Sequence, residues 1–176
     1  MPDRSAKPHA VEPRAMRNTM GGFATGVAIV MTKVAEELHG MTVNSLTSVS
    51  LEPPLLLVCF TRGSRTAEAV QQRGAFVVNL LNHRQEPLSD RFAKPSEDHF
   101  EGVQVELNEL GLPVLPGGLG HLVCEVEDMH PGGDHVIAVA RVLRCESRQG
   151  NPLIFYRGKY HTVSGPGRQA QLQWYW

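Results

Sequence analysis

Seven short runs of β-branched and apolar residues, several of them joined by short connections, set the strongest limit on how this 176-residue chain can fold. Runs of this length and composition are typical of β-strands. Short connections suit antiparallel neighbours, whereas parallel strands need long crossovers. The pattern therefore predicts a mainly β fold, an antiparallel barrel rather than alternating βαβ units. The runs are residues 27–34, 38–43, 55–60, 75–81, 121–129, 134–143 and 152–163.

Helices are predicted to be few and accessory. A short opening helix begins at Pro13 and ends at Gly21-Gly22, which fits the preference for proline in the first turn and glycine after the last. Residues 64–74 predict a second helix with a hydroxyl start and a glycine stop. Residues 84–94 predict a third helix around an internal proline, Pro87.

The two chain ends differ from the rest in composition. Residues 1–12 combine prolines with scattered charges, so we expect a disordered tail that buries too little surface to offset its ordering entropy. The folded domain is predicted to span residues 13–163, a length that can bury a sizeable core. Residues 164–176 form a tail whose last three residues, Trp174, Tyr175 and Trp176, are an exposed aromatic cluster unless they dock.

Some strand-like runs are apolar on both faces, and residues 55–60 are the clearest case. A strand of this kind needs cover on its outer face, from helices or from a second subunit. Together with the aromatic tail, this pattern predicts a homodimer.

Charge and cysteine content exclude several classes of protein. The chain has 17 basic and 18 acidic residues, so it lacks the basic surplus expected of proteins that bind nucleic acid or anionic membranes. Cys59, Cys124 and Cys145 are odd in number and lie in strand-like runs, which predicts small buried hydrophobes in a reducing compartment. The first residues contain no apolar core of a signal peptide or membrane span, so we expect a cytoplasmic protein.

The sequence contains none of the common motifs that carry catalysis on side chains alone. There is no G-x-S-x-G elbow, no Walker loop and no G-x-G-x-x-G segment after a strand. His121 and Cys124 would face opposite sides of a strand, and no set of four residues has zinc-like spacing, so no metal site is predicted. If the protein is an enzyme, a bound organic cofactor is expected to supply the chemistry.

Residues 40–60 read GMTVNSLTSVSLEPPLLLVCF and place a row of short hydroxyl and amide side chains beside a strand. Together with FATGVAIVMT (23–32) and PGGDHVIAVARV (131–142), this segment resembles the flavin reductase family, the split-barrel partners of two-component flavin monooxygenases. The resemblance continues through SRTAEAV, FVVNLL, LSDRFA and PLIFYRGKYH and covers about residues 14–163. The chain departs from the pattern at Ala140, where the family has glycine.

The resemblance implies a Greek-key, antiparallel split β-barrel that works as a homodimer. It also implies a reductase that transfers a hydride from NADH or NADPH to FAD or FMN and releases reduced flavin for a partner monooxygenase. An isoalloxazine ring is flat, mostly uncharged and edged with carbonyl oxygens and ring nitrogens, which short hydroxyl, amide and backbone N–H groups can match. Two alternatives stay open: a non-catalytic flavin-binding electron carrier on the same barrel, and a flavin-dependent oxidase with its own organic substrate.

The resemblance assigns the flavin ring and ribityl chain to the hydroxyl-rich segment, and the flavin phosphate to the start of the second helix, where backbone N–H groups and the helix dipole favour an anion. The alternatives are a polar edge strand or turn for the first segment and simple N-capping for the second. The residues concerned are Asn44, Ser45, Leu46, Thr47, Ser48, Val49 and Ser50 for the ring, and Ser64, Arg65 and Thr66 for the phosphate.

Three further positions are assigned to the flavin. Thr25 and Gly26 would let the backbone approach the cofactor closely, although a plain helix-to-strand turn explains Gly26 almost as well. Asn79 lies in an otherwise apolar strand, and a buried amide there must find partners. A flavin edge could supply them, and so could the protein core.

The nicotinamide side is assigned to the G-G-D-H turn and to the last strand. His135, next to Asp134, would hydrogen-bond the carboxamide or orient the dihydronicotinamide over flavin N5, so its role would be positioning. Its alternative is a surface histidine in a turn. Tyr156, Arg157, Gly158 and Tyr160 would complete this side by stacking and by meeting phosphate, or else form an ordinary final strand.

Overall fold

The computed structural model describes residues 11–96 and 99–163 and consists mainly of strands. Residues 1–10 of the predicted N-terminal tail, and the predicted aromatic tail from residue 164 onward, lie outside the described residues. The helices are α1 (Pro13–Met20), α2 (Arg65–Arg73) and α3 (Glu86–Ala93), with a 3-10 turn at His83–Gln85 before α3. The strands are β1 (Thr25–Gly26), β2 (Ala28–Val34), β3 (Glu37–Val43), β4 (Leu46–Leu51), β5 (Pro54–Thr61), β6 (Ala75–Leu80), β7 (Glu106–Leu107), β8 (Pro113–Val114), β9 (Gly120–Gly132), β10 (His135–Ser147), β11 (Leu153–Tyr156) and β12 (Lys159–Thr162).

One antiparallel sheet of seven strands dominates the molecule, in the order β3-β2-β6-β9-β10-β5-β4. The hairpins β2–β3, β4–β5 and β9–β10 supply six of the strands, and β6 joins the first hairpin to the third. A small sheet, β1-β11-β12, and the short hairpin β7–β8 accompany it. The structure confirms the predicted mainly β, antiparallel fold with accessory helices.

The inward faces of all seven strands meet in one apolar cluster, which means that the sheet is rolled into a barrel. The cluster includes Val30 of β2, Phe60 of β5 and Phe76 of β6, and the two phenylalanine rings pack edge to face at 6.1 Å. Ala140 belongs to the same cluster and is fully buried, next to an irregularity in the pairing of β10 with β9. The barrel therefore accommodates the methyl group at the position where the family pattern has glycine.

A second cluster covers the outer face of β2. Ile29 and Met31 pack there against Phe92 of α3 and Leu153 of β11. This explains why β2 is apolar on both faces. Cover over β5 is thinner, because Leu57 and its outward-facing neighbours are only partly buried. The outer face of β2 is therefore covered as predicted, whereas the outer face of β5 is only partly covered within one chain.

Three sequence predictions need correction. Residues 152–163 form two strands, because Arg157 (φ 48°) and Gly158 (φ 75°) make a left-handed turn between β11 and β12. Pro87 lies in the first turn of α3 rather than inside it, because residues 83–85 form the preceding 3-10 turn. Cys145 is exposed and Cys59 is partly exposed, so only Cys124 is the buried hydrophobe that was predicted. Residues 46–51 form an edge strand, which agrees with the polar edge strand given as the alternative for the hydroxyl-rich segment.

Candidate functional site

Residues that are distant in sequence lie close together at the C-terminal end of β5. Thr61, its last residue, pairs with His135 at the start of β10. The Ser45 hydroxyl donates to the Cys59 carbonyl oxygen at 2.9 Å and accepts from the Cys59 N–H at 3.3 Å. Helix α2 begins four residues after Thr61. The predicted ring, phosphate and nicotinamide segments therefore approach one another at this end of the barrel.

His135 enters β10 from a tight turn in which Gly133 has φ 72°. Its Nδ1 lies 2.7 Å from Oδ1 of Asp134. A carboxylate can only accept, so Nδ1–H donates and the neutral ring is left with an acceptor at Nε2. The side chain of His135 is 43% exposed, and Nε2 makes no hydrogen bond within the described residues. It is therefore available to a ligand.

The Asp134 carboxylate is fully solvated, yet its pKa is lower than that of an ordinary aspartate. The hydrogen bond from His135 is the main cause, and the charges of His135 and Arg62 add to it. Asp134 is thus ionised throughout the neutral pH range, which keeps the donor position of His135 at Nδ1.

Arg62, which the sequence analysis did not single out, lies beside this turn. Its backbone N–H donates to the Asp134 carbonyl oxygen at 3.0 Å. Its exposed side chain forms no hydrogen bond or ion pair with any described residue. The sequence offered only one signal for it, an arginine between the end of a strand and the Gly63-Ser64 helix start.

The start of α2 borders a cavity of about 900 Å³ that the β2–β3 hairpin and the end of α3 also line. The Ser64 hydroxyl caps the helix by accepting from the Ala67 N–H at 3.2 Å, and it lies 3.9 Å from Sδ of Met41. Arg65 donates to the Ser96 carbonyl oxygen. Thr66 is only 6% exposed and lines the cavity, and its hydroxyl has no partner within the described residues. The structure therefore confirms the N-cap and leaves a free hydroxyl beside it.

The hydroxyl-rich segment is an edge strand, β4, which pairs only with β5 in the described sheet. The Ser50 hydroxyl accepts a hydrogen bond from the Glu52 N–H at 3.2 Å, and the Ser45 hydroxyl accepts one from the Cys59 N–H. Leu46 packs against the barrel cluster. Asn44 is exposed at the end nearest His135, whereas Thr47, Ser48 and Val49 are exposed along the edge that runs away from it.

Asn79 is only 2% exposed, and both ends of its amide are satisfied in the core. Nδ2 donates to the Ile29 carbonyl oxygen at 3.2 Å, and Oδ1 accepts from the Leu115 N–H at 2.8 Å. These bonds support the interpretation of Asn79 as a core asparagine that fixes β6 to β2 and to the segment before β9.

Thr25 and Gly26 present two features that the chain itself does not explain. The Thr25 hydroxyl is buried and has no hydrogen-bond partner among the described residues. A Cβ added to Gly26 would meet nothing within 4 Å, and Gly26 has no positive φ, so neither packing nor backbone conformation requires glycine. Since Ala28 pairs with Val43, these residues lie beside Asn44. An unpaired hydroxyl and open space beside a glycine both fit a bound ligand.

The β11–β12 hairpin holds the remaining predicted residues. The Arg157 guanidinium lies 5.3 Å from the centre of the Tyr156 ring, and the Arg157 N–H donates to the Gly21 carbonyl oxygen at 2.9 Å, which fastens the end of α1. Gly158 completes the left-handed turn. The Tyr160 hydroxyl lies 2.7 Å from Oγ of Ser89 in α3, and its ring packs against Phe155. Tyr160 therefore has a structural role already, while Tyr156 and Arg157 remain near the surface.

None of the helices in the described residues is long and apolar enough to cross a membrane. Among residues 11–96 and 99–163, no group of three or more histidine, cysteine, aspartate or glutamate side chains could hold a metal ion.

Comparison with known proteins gives a consistent result. Residues 20–164 match the family described as flavin reductase like domain. The chain is 38% identical over 173 residues to the reductase subunit HsaB of a flavin-dependent monooxygenase from Rhodococcus jostii, with 98% of this chain and 88% of that protein covered. It is also 38% identical over 165 residues to an NADH-dependent flavin reductase from a Rhodococcus species, with 90% of each chain covered.

A solved structure extends the likeness to the fold. The NADH:FAD oxidoreductase SgcE6 of Streptomyces globisporus C-1027, in complex with NAD and FAD fragments, superposes with a TM-score of 0.82 at 32% identity. The match covers 89% of this chain and 97% of that one.

Proposed function

The chain belongs to the flavin reductase family, and we propose that it is an NADH-dependent flavin reductase that supplies reduced flavin to a partner monooxygenase. The observation that carries the proposal is His135, whose Nε2 acceptor makes no hydrogen bond to any described residue and lies beside the helix start and the hydroxyl-rich strand. NADH gives a hydride to the flavin, which also takes up one proton, so that NAD⁺ and reduced flavin are formed. The protein's own task is to hold the two rings together and to exclude water from between them.

Flavin binding is proposed at the end of the barrel where β1, β3 and β5 approach one another. Thr25 supports this assignment, because a buried hydroxyl without a partner costs free energy unless a ligand satisfies it. Gly26 leaves room for the ring, and Asn44 offers an exposed amide next to it. Either FAD or FMN meets these requirements, because both carry the same ring.

The flavin phosphate is proposed at the start of α2, with Thr66 and the first N–H groups of the helix as donors. Support comes from the free Thr66 hydroxyl and from the adjoining cavity. Arg65 adds positive charge at the same helix end. N-capping by Ser64 and anion binding are compatible, because the Ser64 hydroxyl uses only the N–H of Ala67.

The nicotinamide is proposed to lie against His135, with the carboxamide NH₂ donating to Nε2. Asp134 supports this role because it holds the donor proton at Nδ1. Tyr156 and Arg157 are proposed on the same side, where an aromatic ring and a cation could contact the nucleotide.

We also propose a homodimer and a cytoplasmic location. The homodimer is supported by α1, none of whose residues is buried, although Met16 and Met20 share one face. The cytoplasmic location is supported by the three free cysteines, which suit a reducing compartment.

The test is an assay of NADH oxidation by the purified protein at saturating FAD and, separately, FMN. The proposal predicts turnover that requires added flavin, and formation of reduced flavin under anaerobic conditions. A protein that holds flavin tightly but turns over no nucleotide would instead support the electron-carrier alternative.

A further inference from the structure

Arg62 combines a fixed backbone position with a side chain that forms no hydrogen bond or ion pair to any described residue. Thr61 before it pairs with His135, and the Arg62 N–H is held by the Asp134 carbonyl oxygen at 3.0 Å. The Ser64 N–H then returns to the Thr61 carbonyl oxygen at 3.1 Å, with Gly63 at φ 73°. Arg62 is therefore fastened to the His135 turn.

Within residues 11–96 and 99–163 the Arg62 guanidinium has no ion-pair partner, although the Asp134 carboxylate is close by. Arg141 and Arg144 each form an ion pair with a glutamate. Arg62 contributes to the lowered pKa of Asp134, but it forms no ion pair with that carboxylate, which already accepts from His135. A solvated arginine held at a turn, with five donors and no acceptor, is suited to bidentate contact with phosphate oxygens.

We propose that Arg62 binds the pyrophosphate of the reduced nicotinamide dinucleotide and thereby sets the affinity of the protein for its hydride donor. The inference rests on the proposed function, in which the nicotinamide lies against His135. Only one ribose separates the nicotinamide from its first phosphate, so a cation just after the end of β5, held by the Asp134 carbonyl oxygen beside His135, is within reach of that phosphate. Arg62 is a specificity residue in this assignment, and it takes no part in hydride transfer.

Two hydride donors separate this role from a structural one. NADH carries the pyrophosphate, whereas 1-methyl-1,4-dihydronicotinamide has the same reacting ring and no phosphate. Changing Arg62→Ala should lower kcat/KM for NADH roughly tenfold or more, mainly through KM, because a charge-assisted contact is lost. The rate with the methyl compound and the Kd for flavin should both be unchanged. Arg62→Lys should restore part of the loss, because a lysine keeps the charge without the bidentate geometry.

Arg73→Ala is the matched control, because it removes the same charge from the opposite end of α2, where Arg73 donates to the Leu110 carbonyl oxygen at 2.8 Å. It should leave KM for NADH unchanged. The inference is overturned if Arg62→Ala affects both hydride donors equally, if it weakens flavin binding instead, or if it changes nothing. A wild-type protein that oxidises no NADH with either flavin would overturn the proposed function itself, which is a different result from an active enzyme indifferent to Arg62.

Discussion

At the scale of single residues, the Asp134 carboxylate decides which nitrogen of His135 is left for a ligand. With Nδ1–H donating to Asp134 at 2.7 Å, Nε2 must accept, and a carboxamide NH₂ is a suitable donor to it. Hydride transfer between two stacked rings does not require a proton from this imidazole. His135 is therefore expected to contribute by orientation.

Changing His135→Ala should lower kcat/KM for NADH by roughly 10- to 100-fold, which corresponds to about 1.4–2.8 kcal/mol of lost transition-state stabilisation. Flavin titration and thermal unfolding should change little, because the side chain is partly exposed. Stopped-flow reduction of flavin measures the effect directly. His130→Ala is the control, an exposed histidine on the neighbouring strand β9. Unchanged hydride transfer and unchanged KM in the His135 variant would make His135 only a turn residue.

The lowered pKa of Asp134 means that its carboxylate still accepts from His135 at neutral pH. Because the folded-state pKa is depressed, the Asp134–His135 contact is complete above the ordinary aspartate pKa and is lost only as pH falls through the lower folded value. Asp134→Ala should therefore lower kcat/KM for NADH at neutral pH, whereas Asp134→Asn, which keeps an acceptor for Nδ1–H, should lower it less. Equal activity of all three proteins at pH 7 would show that the carboxylate does not orient His135.

At the scale of elements, α2 combines a structural cap with a candidate phosphate site. Thr66→Ala should weaken FMN binding by roughly two- to tenfold, the loss expected for one hydrogen bond. Riboflavin has the same ring without the phosphate, so its affinity should not change. Ser64→Ala is the contrasting variant and should lower the free energy of unfolding by about 1 kcal/mol through loss of the cap. If Thr66→Ala weakens riboflavin and FMN equally, Thr66 does not contact the phosphate.

The elements also show what the sequence could and could not predict. Strands such as β2 and β6 were predicted because they are buried by contacts that need apolar side chains. β4 was foreseen only as an alternative, because an edge strand tolerates hydroxyls and so lacks an apolar run. Ser45, just before β4, and Ser50, within it, satisfy backbone groups nearby. The turn between β11 and β12 was missed because the run 152–163 is otherwise strand-like, and Gly158 (φ 75°) was its single local signal, since an arginine such as Arg157 rarely takes φ 48°.

The candidate site was predictable to a similar extent. The G-G-D-H segment was expected to be a tight turn, and Gly133 has φ 72° there. The roles of His135 and Asp134 came from the family resemblance rather than from the local pattern, and they stay a prediction. Whether the Asn79 amide meets a ligand or the core depends on Ile29 and Leu115, residues 50 and 36 positions away. Arg62 was missed for the same reason, because only the pairing of β5 with β10 brings it to His135.

At the scale of the whole molecule, a single chain leaves apolar surface uncovered on two elements. In α1, Met16 and Met20 are 62% and 56% exposed, and Phe23, three residues after the helix, is 69% exposed. On β4, Val49 and Leu51 are 47% and 62% exposed along a free sheet edge. Exposed apolar side chains grouped in this way are typical of protein interfaces. A second copy of the chain is the partner that would cover both surfaces symmetrically.

Sedimentation velocity at micromolar concentration should therefore show a dimer, and Met20→Glu should shift it towards monomer. A charge placed in an apolar interface must be desolvated without a partner, so the dissociation constant should rise strongly. The protomer should remain folded, because no residue of α1 is buried within it. Asn18→Glu adds the same charge two residues earlier, about 200° around the helix from Met20, and should leave the dimer intact. A wild-type protein that is monomeric at these concentrations would contradict the homodimer, and a dimer equally insensitive to both substitutions would exclude α1 from its interface.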